Sequence, residues 1–180
     1  ADGIADEDRR VRCQYRFTTE TGRLSSSSNP RGTGTNLQNQ DHECLDMYLP
    51  NEGQVLMGLD LSQAEDRWVK VIAYANRGLG KQIECDWEEI LWRAQSKPWE
   101  NDEHWRAAEA IYGLPREQMD KGIHRQRGKK TRHAVNYDMH AARFVDELSK
   151  EDVYLEQKEA QAMLDKLRLA DPYIEVYQAS

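Results

Sequence analysis

The chain has 180 residues, a formal net charge of -7, 38% hydrophobic and 32% charged residues, five Trp and eight Tyr. That length allows one domain or two small ones with a real core, and the aromatic content argues against disorder. No apolar run approaches the roughly 20 residues that span a bilayer and no signal peptide is visible, so no membrane partner is expected. Cys13, Cys44 and Cys85 are odd in number and lack CxxC spacing, which fits free thiols in a reducing, cytoplasmic setting. His42 and Cys44 could share a metal with Cys13, but nothing in their spacing specifies four ligands. The first residue is Ala, and the chain reads as a piece of a longer protein.

Residues 1–10 are charged and carry no pattern. Arg12 to Thr18 alternates around Cys13, Tyr15 and Phe17, which predicts a short strand. Thr21-Gly22-Arg23-Leu24-Ser25-Ser26 follows, then a Ser/Asn/Pro/Gly loop to Gly34, then Thr35-Asn36-Leu37-Gln38-Asn39. Such loops are usually turns, yet the flanks carry Arg, Asn and Gln, side chains able to reach base edges and phosphates. Gln54 to Leu61 is nearly continuously apolar and predicts a second, buried strand. It runs into Asp60-Leu61-Ser62-Gln63-Ala64-Glu65-Asp66-Arg67. An Asp there either caps the next helix, as Ser62 would equally do, or holds a hard divalent cation.

Trp68, Val69, Val71, Ile72 and Ala75 predict a helix packed on the sheet, ended by Asn76 to Gly80. Trp87, Ile90, Leu91 and Ala94 predict an amphipathic helix over 84–95 that Lys97-Pro98 breaks. Asp102-Glu103-His104 opens a helix through Tyr112, closed by Gly113-Leu114-Pro115. Ala141 to Leu148 and Leu155 to Leu169 read as two more helices, before Asp171-Pro172-Tyr173-Ile174.

Between them, Lys121 to Tyr137 holds Lys121, Arg125, Arg127, Lys129, Lys130 and Arg132, two His, and no acid. Arg125, Lys129, His133 and Tyr137 recur every four residues, a spacing that drifts only about 40° per step on an α-helix. One reading is a solvated basic helix. The other is a stripe suited to a polyanion at one end and a flat group, such as a base, at the other.

Three segments together resemble the family A DNA polymerases, the group of bacterial polymerase I and many phage replicases. Asp60-Leu61-Ser62-Gln63-Ala64-Glu65-x-Arg67 looks like the family's first metal-binding motif. Thr21 to Ser26 with Asn36 to Asn39 resembles its Thr-Gly-Arg-Leu-Ser-Ser…Asn-Leu-Gln-Asn element. Arg125 to Tyr137 resembles its fingers motif, Arg-x3-Lys-x3-(Phe or Tyr)-x3-Tyr-Gly, and Asp102-x-His104 its approach to that helix.

The resemblance implies an α+β fold: a partial palm over 1–75, helical fingers over 76–150, and a helix over 151–180 returning towards the palm. It implies template-directed deoxynucleotidyl transfer to a primer 3′-hydroxyl, with primer–template DNA and dNTPs as partners, in a nucleoid-associated, monomeric parent. Asp60 and the Leu61 carbonyl are then Mg²⁺ ligands of a two-metal site, and Arg125, Lys129 and His104 grip the triphosphate. Ser62 and Gln63 complete the nucleotide-binding set, Glu65 closes over the 2′ face of the sugar, His133 lies against sugar and base, and Tyr137 stacks near the templating base. Arg23 reaches the minor groove at the primer terminus, with Asn36 and Gln38 holding the primer–template.

The chain also departs from the pattern. His133 stands for Phe or Tyr, Ala134 for Gly, Asp138 for the Gly after Tyr137, and Asp66 for an apolar or small residue. The family's third motif, a hairpin bearing the second metal-binding Asp, has no counterpart, and residues 76–101 are longer than usual. The chain as given is expected to be inactive alone, and the alternative reading is a truncated, non-catalytic nucleotide- or DNA-binding module.

Overall fold

The computed structural model describes residues 5–17, 24–59, 61–80, 82–150 and 152–180. The fold is α+β: among the described residues there are seven α-helices and one two-stranded antiparallel sheet. The chain divides into two compact units, Ala1–Leu59 and Asp60–Ser180.

In the first unit β1 (Gln14–Arg16) pairs with β2 (Ser25–Ser27), Tyr15 opposite Ser26. β1 falls inside the strand predicted over 12–18. The loop beyond β2 closes on itself, with the Asn29 side chain accepting from the Arg31 and Thr33 amides. Gly34, at φ +85°, is the one residue type that fits its place, because a Cβ there would lie 1.8 Å from the Arg12 carbonyl oxygen.

The strand expected over Gln54–Leu61 does not appear among the described residues of that stretch. Residues 54–59 have no regular structure, and Val55, Leu56, Met57 and Leu59 are 65% to 89% exposed. An apolar run becomes a buried strand only when neighbouring strands take its backbone hydrogen bonds, and none does so among the described residues.

The second unit is helical: α1 (Ala64–Asn76), α2 (Trp87–Gln95), α3 (Glu103–Tyr112), α4 (Gln126–Asn136), α5 (Ala141–Ser149), α6 (Gln157–Ala170) and α7 (Tyr173–Gln178). α1 packs on α2 and α7 rather than on a sheet, while α3 lies along α4 and α5 along α6. Val69, Ala73, Ile90, Ala107, Val135, Phe144, Leu148, Leu164, Leu167 and Ile174 form the shared core. The helix ends follow capping chemistry. Asp86 accepts from the Glu89 amide, Glu156 and Glu159 form a capping box on α6, and Gly113 ends α3 in the left-handed region. Trp68, expected in the core, is 63% exposed and lines an open, largely apolar cleft of about 390 Å³ with Leu61, Val71 and Pro98.

Through this core runs a buried ionic network of three cations and three carboxylates. Arg93 donates to both oxygens of Glu103 at 2.8 and 2.6 Å and to Asp171 at 2.8 Å. Arg132 lies 2.5 Å from Asp171 and 3.4 Å from Glu103, and Lys70 contacts Asp66 and Glu103. The Tyr173 ring covers Lys70 and Arg93. Burial works to raise the Glu103 and Asp171 pKa values, but the surrounding cations overcome it and hold both carboxyls below their ordinary range. Burial pulls Lys70 down against the pull of Asp66 and Glu103. Balanced charges make such burial tolerable, although Arg132 Nε, 3.5 Å from Asp66, makes no hydrogen bond among the described residues.

Candidate functional site

The site grows from the start of α1. Asp60 lies outside the described residues; Leu61 and Ser62 are exposed beside it. Ser62 does not cap α1. Gln63 takes that position in the left-handed region, at φ 55°, with no side-chain bond to its own helix. Its carboxamide reaches α3 instead, accepting from the Glu103 amide at 3.1 Å and donating to Asp102 Oδ1 at 3.3 Å.

Asp102 is where three elements meet. Oδ1 caps α3 by accepting from the His104 and Trp105 amides at 3.0 and 3.3 Å. Oδ2 accepts from Arg125 Nε and Nη2 at 3.0 and 2.9 Å. Arg125 ends a π-type turn, Lys121–Arg125, that precedes α4 and is capped by Asp120 through the Ile123 amide. The predicted helix over 125–137 is thus α4 with a wider turn in front, a feature often found beside functional sites.

The four-residue stripe is partly realised. Arg125 is half-buried against Asp102, while Lys129, His133 and Tyr137 are exposed on α4. Arg132, counted with the basic run, turns the other way into the ionic network, so it offers nothing to an outside anion. α3 and α4 approach closely at Gly128, where a Cβ would lie 2.4 Å from the His104 carbonyl oxygen and 2.8 Å from the Ala108 nitrogen. That close approach carries His104 towards Arg125 and Lys129.

His104 records its surroundings. Its Nδ1 is buried without a hydrogen-bond partner among the described residues. Burial first, then Arg125 and Lys129, pull its pKa down to about 4 against the opposing pull of Asp102. The imidazole is therefore neutral near pH 7 and offers its surroundings a hydrogen-bonding group rather than a cation.

At the C-terminal end of α4, Glu65 accepts a hydrogen bond from the Tyr137 hydroxyl. His133 Nδ1 lies 3.5 Å from Glu65 Oε2, and its ring meets the Tyr137 ring edge-on at 4.7 Å between centroids. The polar edge that imidazole brings in place of Phe is turned to Glu65.

Arg23 lies outside the described residues. Asn36 caps a short 3₁₀ turn, Leu37–Asn39, by accepting from the Gln38 amide at 3.0 Å, and also receives the Ser26 hydroxyl. Gln38 is exposed.

The structure thus brings together Gln63, His104, Arg125 and Lys129 around the first half of α4 and Glu65, His133 and Tyr137 at its C-terminal end, from segments far apart in sequence. It leaves Leu61 and Ser62 exposed at the start of α1. Two contributors have no role that the sequence alone assigns. Asp102 opens a helix and heads the Asp-x-His element, with nothing local to pair it with Arg125, and Gly128 goes without a role, although a Gly inside a helix is itself a sign of close packing. Among the described residues no group of three His, Cys, Asp or Glu is placed to hold a metal. No protein-family model matches the chain, and no curated protein sequence does either.

Proposed function

We propose that the chain is the palm-start and fingers portion of a family A-type DNA polymerase, and that its helical unit grips the incoming deoxynucleoside triphosphate. The observation that carries this reading is convergence. Residues from three separate resembling segments, Gln63 and Glu65, His104, and Arg125 to Tyr137, meet along one helix with their polar groups arranged in functional order. Arg125 and Lys129 supply charge for phosphate oxygens, Arg125 with two parallel donors and Lys129 as a point charge. His104 adds a neutral donor between them.

Nucleotidyl transfer asks the protein chiefly for positioning and charge stabilisation. Glu65, held by Tyr137, covers the sugar and leaves no partner for a 2′-hydroxyl, and Tyr137 offers its ring to the templating base. Arg23 reaches the minor groove at the primer terminus, where every pair offers an acceptor, and Asn36 and Gln38 hold the primer–template nearby. Mg²⁺, held by Asp60 and the Leu61 carbonyl, would neutralise charge on the attacking and leaving oxygens. The setting is a cytoplasm where DNA is replicated or repaired.

Titration of the purified chain with dATP and Mg²⁺, followed by Trp fluorescence, tests this. Weak, salt-sensitive binding is expected. Arg125→Ala or Lys129→Ala should weaken it at least about tenfold, the size of one charged hydrogen bond. Absence of binding at millimolar dATP, or equal affinity in both variants, rejects the reading.

A further inference from the structure

The carboxylate of Asp102 has every oxygen engaged, and its partners are the groups that set the anion-facing side of α4. Oδ1 fixes the first turn of α3 through the amide of His104 itself. Oδ2 fixes the Nε and Nη2 edge of Arg125. The end-on edge through Nη1 is left without a partner among the described residues. Asp102 Oδ1 in turn receives Gln63, which also holds the Glu103 amide, so the start of α1 is tied to the same carboxylate. Both partners are largely shielded, with side chains 17% and 18% exposed, so the pair is not a loose surface contact.

An arginine side chain has many rotamers, and a ligand that must order it loses affinity by doing so. A carboxylate seated on one guanidinium edge removes that cost before the ligand arrives and aims the other edge outward. We propose that Asp102 is the positioning residue of the anion site: one carboxylate presets Arg125 and His104 together for a polyphosphate, with Gln63 steadying that carboxylate from α1. This rests on the nucleotide-binding reading above and adds to it a residue that touches no ligand.

A carboxylate so near the site also repels an anion. That repulsion acts inside the Debye length of about 8 Å at physiological ionic strength, so salt removes little of it, and positioning must outweigh it for Asp102 to favour binding.

The test is a double-mutant cycle between Asp102 and Arg125, using the purified chain, with inorganic tripolyphosphate and dATP–Mg²⁺ as probes. Asp102→Ser keeps a good helix cap but reaches no guanidinium, and Asp102→Asn has only one acceptor to share between the α3 amides and Arg125. Both should retain a cooperative melt and weaken either probe about five- to tenfold, the effect of one unfixed long side chain. In an Arg125→Ala background the same changes should alter binding less than about twofold, because a positioning residue acts through the group it positions. A purely structural role would instead lower affinity equally in both backgrounds, and that result, or binding unchanged or tightened by Asp102→Ser and Asp102→Asn alike, overturns the proposal. Should Arg125→Ala itself leave both probes bound as before, the nucleotide-binding reading fails instead. The two failures are thus told apart by the single mutant.

Discussion

Glu65 and Tyr137, 72 positions apart in the chain, are joined by a hydrogen bond from the phenol to the carboxylate. His133 stands beside both, its Nδ1 3.5 Å from the second carboxylate oxygen. Under the proposed function this trio sets how the sugar is judged. Glu65→Ala opens the space over the 2′ position and should lower the preference for dATP over ATP by about tenfold, the scale of one group gained or lost in a pocket. Tyr137→Phe removes the hydroxyl that holds Glu65 and should lower it by a smaller factor. Parallel titrations with the two nucleotides measure this; an unchanged ratio in Glu65→Ala assigns the discrimination to another residue.

Gly128 gives a prediction of unusual sign. In an ordinary helix interior Gly→Ala stabilises by roughly 0.5–1 kcal/mol. Here the new Cβ would lie 2.4 Å from the His104 carbonyl oxygen and 2.8 Å from the Ala108 nitrogen, both backbone atoms that cannot swing aside. Gly128→Ala should therefore destabilise, by about 1–3 kcal/mol as overpacking does, and should also weaken anion binding by pushing α3 away from α4. Urea denaturation reads the first effect and tripolyphosphate titration the second. A more stable variant would show that the helices part without cost.

Arg132 is 2% exposed and faces Asp66, Glu103 and Asp171. Arg132→Met fills similar space but leaves the carboxylates in excess inside the core, so a loss of about 3–5 kcal/mol is expected. Adding Asp171→Leu should recover part of that loss, because the pair is then removed together. If Arg132→Met costs under about 1 kcal/mol, the network contributes little to the fold.

What could be read from the sequence, and what could not, divides along the same lines. Helices announce themselves locally: Trp87, Ile90 and Ala94 marked α2, and Gly113 marked the end of α3. The apolar run from Gln54 misled because a strand depends on partners elsewhere in a sheet, which no local pattern supplies. Arg132 departs from its expected place for a different reason. Charge suggested the outside, yet Gly128, Arg132 and Val135 share one helical face and all three are buried. Periodicity held the answer and composition hid it. The convergence of Glu65 with Tyr137, and of Asp102 with Arg125, lay beyond local reading, since each pair joins separate helices.

His104 links the site to pH. Its folded pKa of about 4 lies below the unfolded value of about 6.5. Between those values the unfolded chain holds more protons than the folded one, so falling pH favours unfolding across that window. The network carboxylates Glu103 and Asp171 behave oppositely in range. Their folded pKa values lie below those of the unfolded chain, so the stability they bring is complete above the ordinary carboxylate range and fades only in stronger acid. The interval from pH 6.5 down to 4 thus isolates the imidazole among these three groups. His104→Gln cannot gain a proton there. Its melting temperature should fall less than that of the parent chain as pH drops through the window, while the two curves run parallel above pH 7. A bound polyphosphate should shrink the difference, because an anion beside His104 compensates the charge that burial resists. Thermal melts from pH 4 to 8, with and without tripolyphosphate, decide the matter. Parallel curves throughout would mean that the imidazole takes up its proton as freely in the folded protein as in the unfolded one.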